Sequence, residues 1–376
     1  MKILSITNDI DSGGAAKSLF ALARSLVELG HSMRIITISP PNRTQSRVEQ
    51  LLDMGVQVDT VNIPYYPMSL VSCPIPFWKN VGRAISRSGE FRRLKRLVAE
   101  FEPSVVHYNS YTTLLASLPL AEYPGVLHAR EILLENSMLL GPTRQLVRSR
   151  MKEVVAISPA EAEQVARCFD LPVSTVFNSS LAQPRFETLP RSEGLVYGVF
   201  SHVSPMKGHM VCIEACAKVA EKLRNANVRI KIFGGKIGIH EKLYDSIQDQ
   251  IESLGVEDIV SFQGFSANPE EEMGKINLIL RPDLAGHPWG RDVLEAMSLG
   301  RPVLATGTRE TFVKSGQTGM LVPAGDVDAF ANAMVELADP VKLEKMGRNA
   351  YEFASRHFDS GQNGRKVLEC LEQAAE

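Results

Sequence analysis

Short runs of apolar residues alternate with longer amphipathic segments almost from end to end of this chain, the pattern that yields parallel strands covered by helices. The runs predict strands at 2–7, 33–38, 104–107, 125–128 and 153–157, and again at 195–200, 228–233, 258–262, 276–280 and 302–305. That order describes two α/β sheets in series. Between them, residues 178–191 carry Pro184, Pro190 and polar side chains with little periodicity, which places a hinge there. Pro64, Pro67, Pro74 and Pro76, set among Tyr65, Tyr66 and Met68, exclude a central strand or helix and predict an exposed apolar loop. Segments 87–101 and 143–155 read as basic helices. In the first, Phe91, Leu94, Leu97, Val98 and Phe101 recur at helical spacing while Arg92, Arg93, Lys95 and Arg96 take the remaining faces. Such a face is either simply solvated or drawn to anionic lipid headgroups.

A chain of 376 residues exceeds what one small core usually serves, so two domains with a cleft between them are expected. With 44% hydrophobic residues, 22% charged and a formal net charge of -2, the composition fits a soluble enzyme and argues against a nucleic-acid binder. The five cysteines, Cys73, Cys168, Cys212, Cys216 and Cys370, are odd in number and scattered, which favours free thiols over a disulfide framework. Cys212 and Cys216 share one helix face but lack a second pair at zinc spacing. The opening residues 1–7 run straight into a strand pattern without the layout of a signal peptide, and no apolar stretch approaches the roughly 18 residues that span a bilayer. The expectation is a cytoplasmic location, compatible with the inner face of a membrane.

Candidate chemistry gathers where predicted strands end. Gly13 and Gly14 follow the first strand and open an amphipathic helix that ends at Gly30, so backbone can come close to a ligand at a helix start. The segment is not G-x-G-x-x-G, and the second strand ends in Ile38-Ser39 rather than an acidic residue, which argues against a dinucleotide site. In the second half, Ser204-Pro-Met-Lys207-Gly208 follows a strand and opens a helix over 209–223, setting a lysine charge beside unpaired amides suited to phosphate oxygens. A helix over 291–299 buries Leu294 and Met297 and leaves Asp292 and Glu295, three apart, on a neighbouring face. Glu295 then sits one turn in from amides able to hold a diphosphate, where its carboxylate can accept both hydroxyls of a ribose. Thr306-Gly-Thr308-Arg-Glu310 leads into 316–323 and supplies a third small-residue loop, at the edge where open α/β sheets bind ligands. The pairs Asp9/Asp11 and Asp326/Asp328 superficially match a metal-binding D-x-D, but Asp326 reads as a helix cap, so no metal is expected.

Taken in order, the Gly13-Gly14 loop, Lys207-Gly208, Asn178 in a Val-Phe-Asn turn, Pro288-Trp-Gly290, Glu295-Ala-Met297 and 318–326 resemble the retaining, sugar-nucleotide-dependent glycosyltransferases of family 4. The resemblance covers nearly the whole chain. It implies the GT-B fold, two Rossmann-like α/β domains facing each other across a cleft: an acceptor-binding domain over 1–185, joined by a returning C-terminal helix over 356–376, and a nucleotide-sugar domain over 190–355. By the same resemblance, Lys207 binds the donor diphosphate and Glu295 the ribose, while Pro288, Trp289, Gly290, Arg291 and Asp292 line the sugar and phosphates. Gly264 and Thr308 complete the nucleotide pocket, and Gly13 and Gly14 let the first domain approach the diphosphate. The implied partners are a nucleotide-sugar donor, UDP favoured as common in the family, and a glycan or lipid-linked acceptor, to which the basic segment 87–101 adds contact with an anionic membrane surface. No cofactor is implied, since the nucleotide-sugar is a substrate.

Three positions depart from the family pattern. His287 replaces the first of two glutamates spaced E-x7-E, which makes donor identity open and leaves Asp292 as a substitute carboxylate. His202 stands where the family commonly has a diphosphate-pairing arginine, which predicts tighter UDP binding at pH 6 than at pH 8. Arg130, in His128-Ala-Arg-Glu131, takes the place of a histidine near the reacting centre, and Arg130 and Glu131 rank above His107 as site residues. The candidate catalytic set is therefore Lys207, Glu295, Arg130, Glu131 and His287. A sugar-nucleotide epimerase and a catalytically altered sugar-nucleotide binder stay open as alternatives.

Overall fold

The computed structural model describes residues 1–376 other than 12, 40–45, 67–86, 134, 136, 182, 191–193 and 236–240. The chain divides into two compact units, Met1–Leu181 with Ser360–Glu376, and Ala182–Asp359. The first unit carries a parallel sheet of seven strands: β1 Lys2–Thr7, β2 Ser32–Thr37, β3 Gln57–Thr60, β4 Val105–Tyr108, β5 Gly125–Ala129, β6 Met151–Ala156 and β7 Val173–Thr175. Their order is β3-β2-β1-β4-β5-β6-β7. The second unit has six parallel strands, β8 Leu195–Phe200, β9 Val228–Phe233, β10 Val260–Gly264, β11 Leu278–Arg281, β12 Val303–Thr306 and β13 Gly319–Val322, in the order β10-β9-β8-β11-β12-β13. Each order reverses once, between β1 and β4 and between β8 and β11, and ligands of open α/β sheets settle outside the strand ends at such a reversal.

Both faces of the first sheet are covered, because successive strand side chains point to opposite sides. Leu4, Ile6, Val106, Tyr108 and Leu127 fill the core on one face, and Ile3, Val105 and Val126 the other. The second face is roofed by helix Gly13–Glu28 and the C-terminal helix Ser360–Ala375, which contributes Val367, Cys370, Leu371 and Ala374. Those two helices approach so closely that a Cβ on Gly364 would lie 2.0 Å from Ser25 Oγ. In the second unit Tyr197, Val199, Ile230 and Ile232 pack against helices His209–Lys218 and Val327–Glu336.

Several sequence expectations are corrected here. The runs predicted no strands at β3, β7 or β13; all three are short sheet edges, and β13 lies inside the stretch read as a loop. The basic stretch 143–155 is a helix only to Arg150, after which Met151 begins β6. The helix expected over 209–223 breaks at Val219 into His209–Lys218 and Ala220–Asn225. Of the proline-rich loop, 67–76 lies outside the described residues, and Tyr66 is buried with its hydroxyl 2.7 Å from Thr143 Oγ1. Helix Ser88–Phe101 buries Leu94, Leu97, Val98 and Phe101 and exposes Arg92, Arg93, Lys95 and Arg96. Cys168, Cys212, Cys216 and Cys370 are free and buried, whereas Cys73 lies outside the described residues.

Candidate active site

In the second unit Lys207 lies just past β8, and 287–295 follow β11, at the point where the sheet order reverses, while Gly264 ends the edge strand β10. β8 ends in a loop whose one-turn helix Pro205–Lys207 closes on Gly208, held at φ 66°. Only glycine fits there: a Cβ would lie 1.9 Å from the Pro282 carbonyl oxygen just past β11. The close approach brings Lys207 Nζ to 3.0 Å from Asp283 Oδ2, while the Leu284 amide donates to Met206 O at 2.9 Å. Asp283 is nearly enclosed, its side chain 5% exposed against 26% for Lys207.

Behind this pair stands a second cation. Arg281, the last residue of β11, reaches both oxygens of Asp292 at 2.5 and 2.6 Å, donates from Nε to His287 O at 2.9 Å, and lies 3.6 Å from Asp283 Oδ2. Both Asp292 contacts come from the one nitrogen Nη1, a short charge-assisted pair. Asp292 therefore braces the start of helix Arg291–Ser298 against β11. Glu295, one turn further on, is buried at 4% side-chain exposure, and Arg291 donates to its Oε1 from Nε at 3.2 Å and Nη2 at 2.9 Å. Glu295 is thus an enclosed, arginine-oriented carboxylate.

Around this chain of charges, the His287 ring stacks on Trp289 with centroids 5.4 Å apart. Gly290 leaves no room for a side chain, since its Cβ would meet Asp292 Oδ1 at 2.5 Å. The β12 loop joins through Thr306 Oγ1, which donates to Asp283 O at 2.5 Å, and through Gly307, whose Cβ would lie 2.7 Å from Gly286 O. Thr308 is exposed on that loop, His202 is exposed just past β8, and Gly264 ends β10 at φ 76°. Arg281 and Asp283 escaped the sequence reading. Their signal was an arginine ending an otherwise apolar strand, followed two residues later by an aspartate.

The first unit holds a second polar centre at the β1/β4 reversal. A cavity of about 460 Å³ is lined by Asn8, Asp9, Gly13, Gly14, Tyr65 and Ser110, among others. Gly13 begins its helix at φ 81°. Asn109, fully buried, donates to Thr7 Oγ1 at 3.1 Å and Ala15 O at 3.3 Å, and accepts from Arg130 Nε at 2.8 Å. Arg130 also reaches Asn178 Oδ1 and, at 3.3 Å, His128 Nδ1. Ser110 donates to Glu131 Oε1 at 2.7 Å, while Glu131 Oε2 is buried with no hydrogen-bond partner among the described residues. Burial pushes the Glu131 carboxyl above its usual range, opposed by the Ser110 bond and the Arg130 charge.

Strand register explains the histidines. Ser5 pairs with His107 across β1 and β4, and alternation puts both on the face roofed by the C-terminal helix. His107 Nδ1 lies 3.1 Å from Ser5 Oγ and its Nε2 3.0 Å from His128 Nδ1. Arg130 can only donate, so His128 Nδ1 accepts from Arg130 and from His107 Nε2, and the Ser5 hydroxyl donates to His107 Nδ1. Both rings are neutral: burial, helped by the Arg130 charge, holds His107 down at about 3 and His128 well below the imidazole range. His107 is thus a buried support for Arg130, with no exposed edge.

Two family models match consecutive parts of the chain, Glycosyltransferase Family 4 over residues 12–178 and Glycosyl transferases group 1 over 194–339. The chain belongs to glycosyltransferase family 4. A D-inositol 3-phosphate glycosyltransferase of Kribbella flavida is 26% identical to this enzyme over 92% of the chain and 87% of that protein. A phosphatidyl-myo-inositol mannosyltransferase of Mycobacterium leprae is 25% identical over 91% and 97%. The crystal structure of Anabaena Alr3699/HepE in complex with UDP and glucose matches with a TM-score of 0.78 at 22% identity, covering 99% of this chain and 100% of that one. The seven- and six-stranded parallel sheets of this glycosyltransferase are those of the GT-B fold. Among the described residues, no helix is long and apolar enough to cross a membrane, and no group of three or more His, Cys, Asp or Glu is arranged to hold a metal ion.

Proposed function

We propose that this glycosyltransferase takes a sugar from a nucleotide-diphosphate donor, UDP-linked by preference, and passes it with retention to a glycan or lipid-linked acceptor in polysaccharide or envelope glycan synthesis. The observation that carries this reading is the second unit's cluster: Lys207 at the β8/β11 reversal, the amides opening helix Arg291–Ser298, and the buried Glu295 one turn in. Cleavage of the anomeric carbon–oxygen bond leaves its electron pair, and a growing negative charge, on the diphosphate. Lys207 and the helix amides are fixed in advance where that charge develops, and preorganised donors of this kind are worth several kcal/mol, about 3 for a single donor. Glu295, aimed by Arg291, takes the ribose hydroxyls, while Lys207 and the helix amides supply the charge stabilisation.

The acceptor half is assigned to the first unit. Its cavity beside Gly13 and Gly14 offers Asn8, Asp9, Ser110 and Tyr65, a lining suited to a polyhydroxylated ligand. HepE was crystallised with UDP and glucose, and the two bacterial relatives act on inositol-based acceptors by their names, which supports a UDP-sugar donor and a polyol or lipid-linked glycan acceptor here. The exposed Arg92, Arg93, Lys95 and Arg96 of helix Ser88–Phe101 favour contact with anionic lipid at a cytoplasmic membrane face.

A thermal-shift screen of UDP, GDP, ADP and their sugar conjugates tests the donor assignment, with Lys207→Ala and Glu295→Ala alongside. One nucleotide should raise the melting temperature by mass action, and both variants should lose the shift. A wild-type enzyme indifferent to every nucleotide, or variants that respond as wild type does, would remove the assignment.

A further inference from the structure

We infer that Asp283 is a resident counter-anion that sets how tightly Lys207 grips the donor's diphosphate. The inference rests on the proposed placement of that diphosphate at Lys207. Asp283 is held from three sides: its Oδ1 accepts from the Ala285 amide at 3.0 Å, its Oδ2 faces Lys207 Nζ at 3.0 Å, and its carbonyl accepts from Thr306 at 2.5 Å. The other nearby cation is the more distant partner: Arg281 gives Nε to His287 O and Nη1 to Asp292, and its Nη2 lies 3.6 Å from Asp283 Oδ2. Lys207 is thus the near partner of Asp283, and the more exposed member of the pair.

Counting formal charges, Lys207 and Arg281 are balanced by Asp283 and Asp292. A diphosphate arriving at Lys207 therefore meets a lysine whose field is already partly cancelled from behind by a carboxylate fixed in a poorly solvated place. Two consequences follow. Asp283 aims the ammonium before substrate arrives, and it weakens the hold on any diphosphate, the leaving nucleoside diphosphate included. The product carries more negative charge than the donor, so an uncancelled lysine would retain product more strongly than substrate, and the carboxylate favours release.

Removing the carboxylate charge should tighten nucleoside-diphosphate binding about tenfold, the order expected for one unit charge about 6 Å from a single phosphate charge at an effective dielectric constant near 40. The experiment is calorimetric titration of UDP, GDP and ADP into the full chain as wild type, Asp283→Asn, Asp283→Ser, Lys207→Met and the double variant Lys207→Met with Asp283→Asn. Serine keeps a hydroxyl able to accept from the Ala285 amide, and the double variant leaves no orphaned charge, so melting curves tell folding losses from binding changes. The expected result is a roughly tenfold lower Kd for the bound nucleotide in both Asp283 variants, with the gain absent when Lys207 is already methionine. Equal or weaker binding in folded Asp283 variants overturns the inference and makes the residue a brace only. A gain that persists without Lys207 overturns it too, because the effect then does not act through the lysine. Failure of the underlying placement looks different: wild type binds no nucleotide, or Lys207→Met binds as well as wild type.

Discussion

Individual residues in the second unit matter through their pairing more than through their type. Arg281 illustrates this, because Asp292 and the His287 carbonyl engage its Nη1 and Nε, Nη2 faces Asp283, and its side chain is only 10% exposed. Replacing it with methionine strands Asp292 in a nearly enclosed place, and breaking one side of a buried pair costs about 3–5 kcal/mol. Chemical denaturation of Arg281→Met should show a loss of that size, and the double variant Arg281→Met with Asp292→Leu should recover part of it, since two apolar partners leave no stranded charge. A loss under about 1 kcal/mol would show that the pair does not brace the helix. The sequence made Lys207 and Glu295 legible because each sits in a motif whose order is specific. It did not make Arg281 and Asp283 legible, because an ion pair across a strand end is a relation between residues brought together by the fold. For the same reason Asp292, offered by the family resemblance as a substitute for the missing glutamate, turns out to have both oxygens engaged by Arg281.

Among elements, the turn ending at Gly208 shows how backbone geometry positions a charge. Two glycines of the second unit share nearly the same left-handed backbone, Gly208 at φ 66° and Gly255 at φ 63°, yet only Gly208 faces an obstacle, the Pro282 carbonyl, with open space at Gly255. Gly255→Ala should cost the left-handed strain alone, roughly 1–2 kcal/mol. Gly208→Ala should cost more in melting temperature and also weaken nucleotide binding, because relieving the clash moves the β8 loop off β11 and carries Lys207 away from the strand-end site. Equal losses in the two variants would refute the claim that this approach positions the site. Core strands were readable as apolar runs because both of their faces are covered. The edges β3, β7 and β13 were not, since Gln57–Thr60 and Val173–Thr175 are short, mixed in polarity and only partly buried, and Gly319–Val322 is embedded in glycine-rich sequence. The break after Arg150 was missed for a related reason: basic residues continue from helix into β6, whose Lys152 is exposed while its neighbours are buried.

At the scale of the whole molecule, both units carry buried neutral histidines, and these set how the enzyme responds to acid. His107 and His128 lie in the first unit, and His209 in the second is lowered to about 4, chiefly by burial, against its bond to Ser201. A histidine whose folded pKa lies below the unfolded value of about 6.5 binds fewer protons folded than unfolded. Its contribution is complete above that value and is lost as pH falls from about 6.5 toward the folded value. Between pH 7 and pH 5 each such histidine withdraws about 2 kcal/mol of stability, at 1.36 kcal/mol per pH unit below 6.5. Glu131 works against this, since a carboxyl raised by burial binds its proton more readily folded and gains stability on acidification. Three histidines outweigh one carboxyl, so the urea midpoint of the full chain should fall on going from pH 7 to pH 5, and His209→Gln, which removes one of the three titrations, should fall less steeply. A midpoint that holds constant over that interval, or a variant with the wild-type slope, would mean that these rings take up protons in the folded enzyme, and the fixed tautomers that support Arg130 and its contact with Asn178 would have to be given up with them.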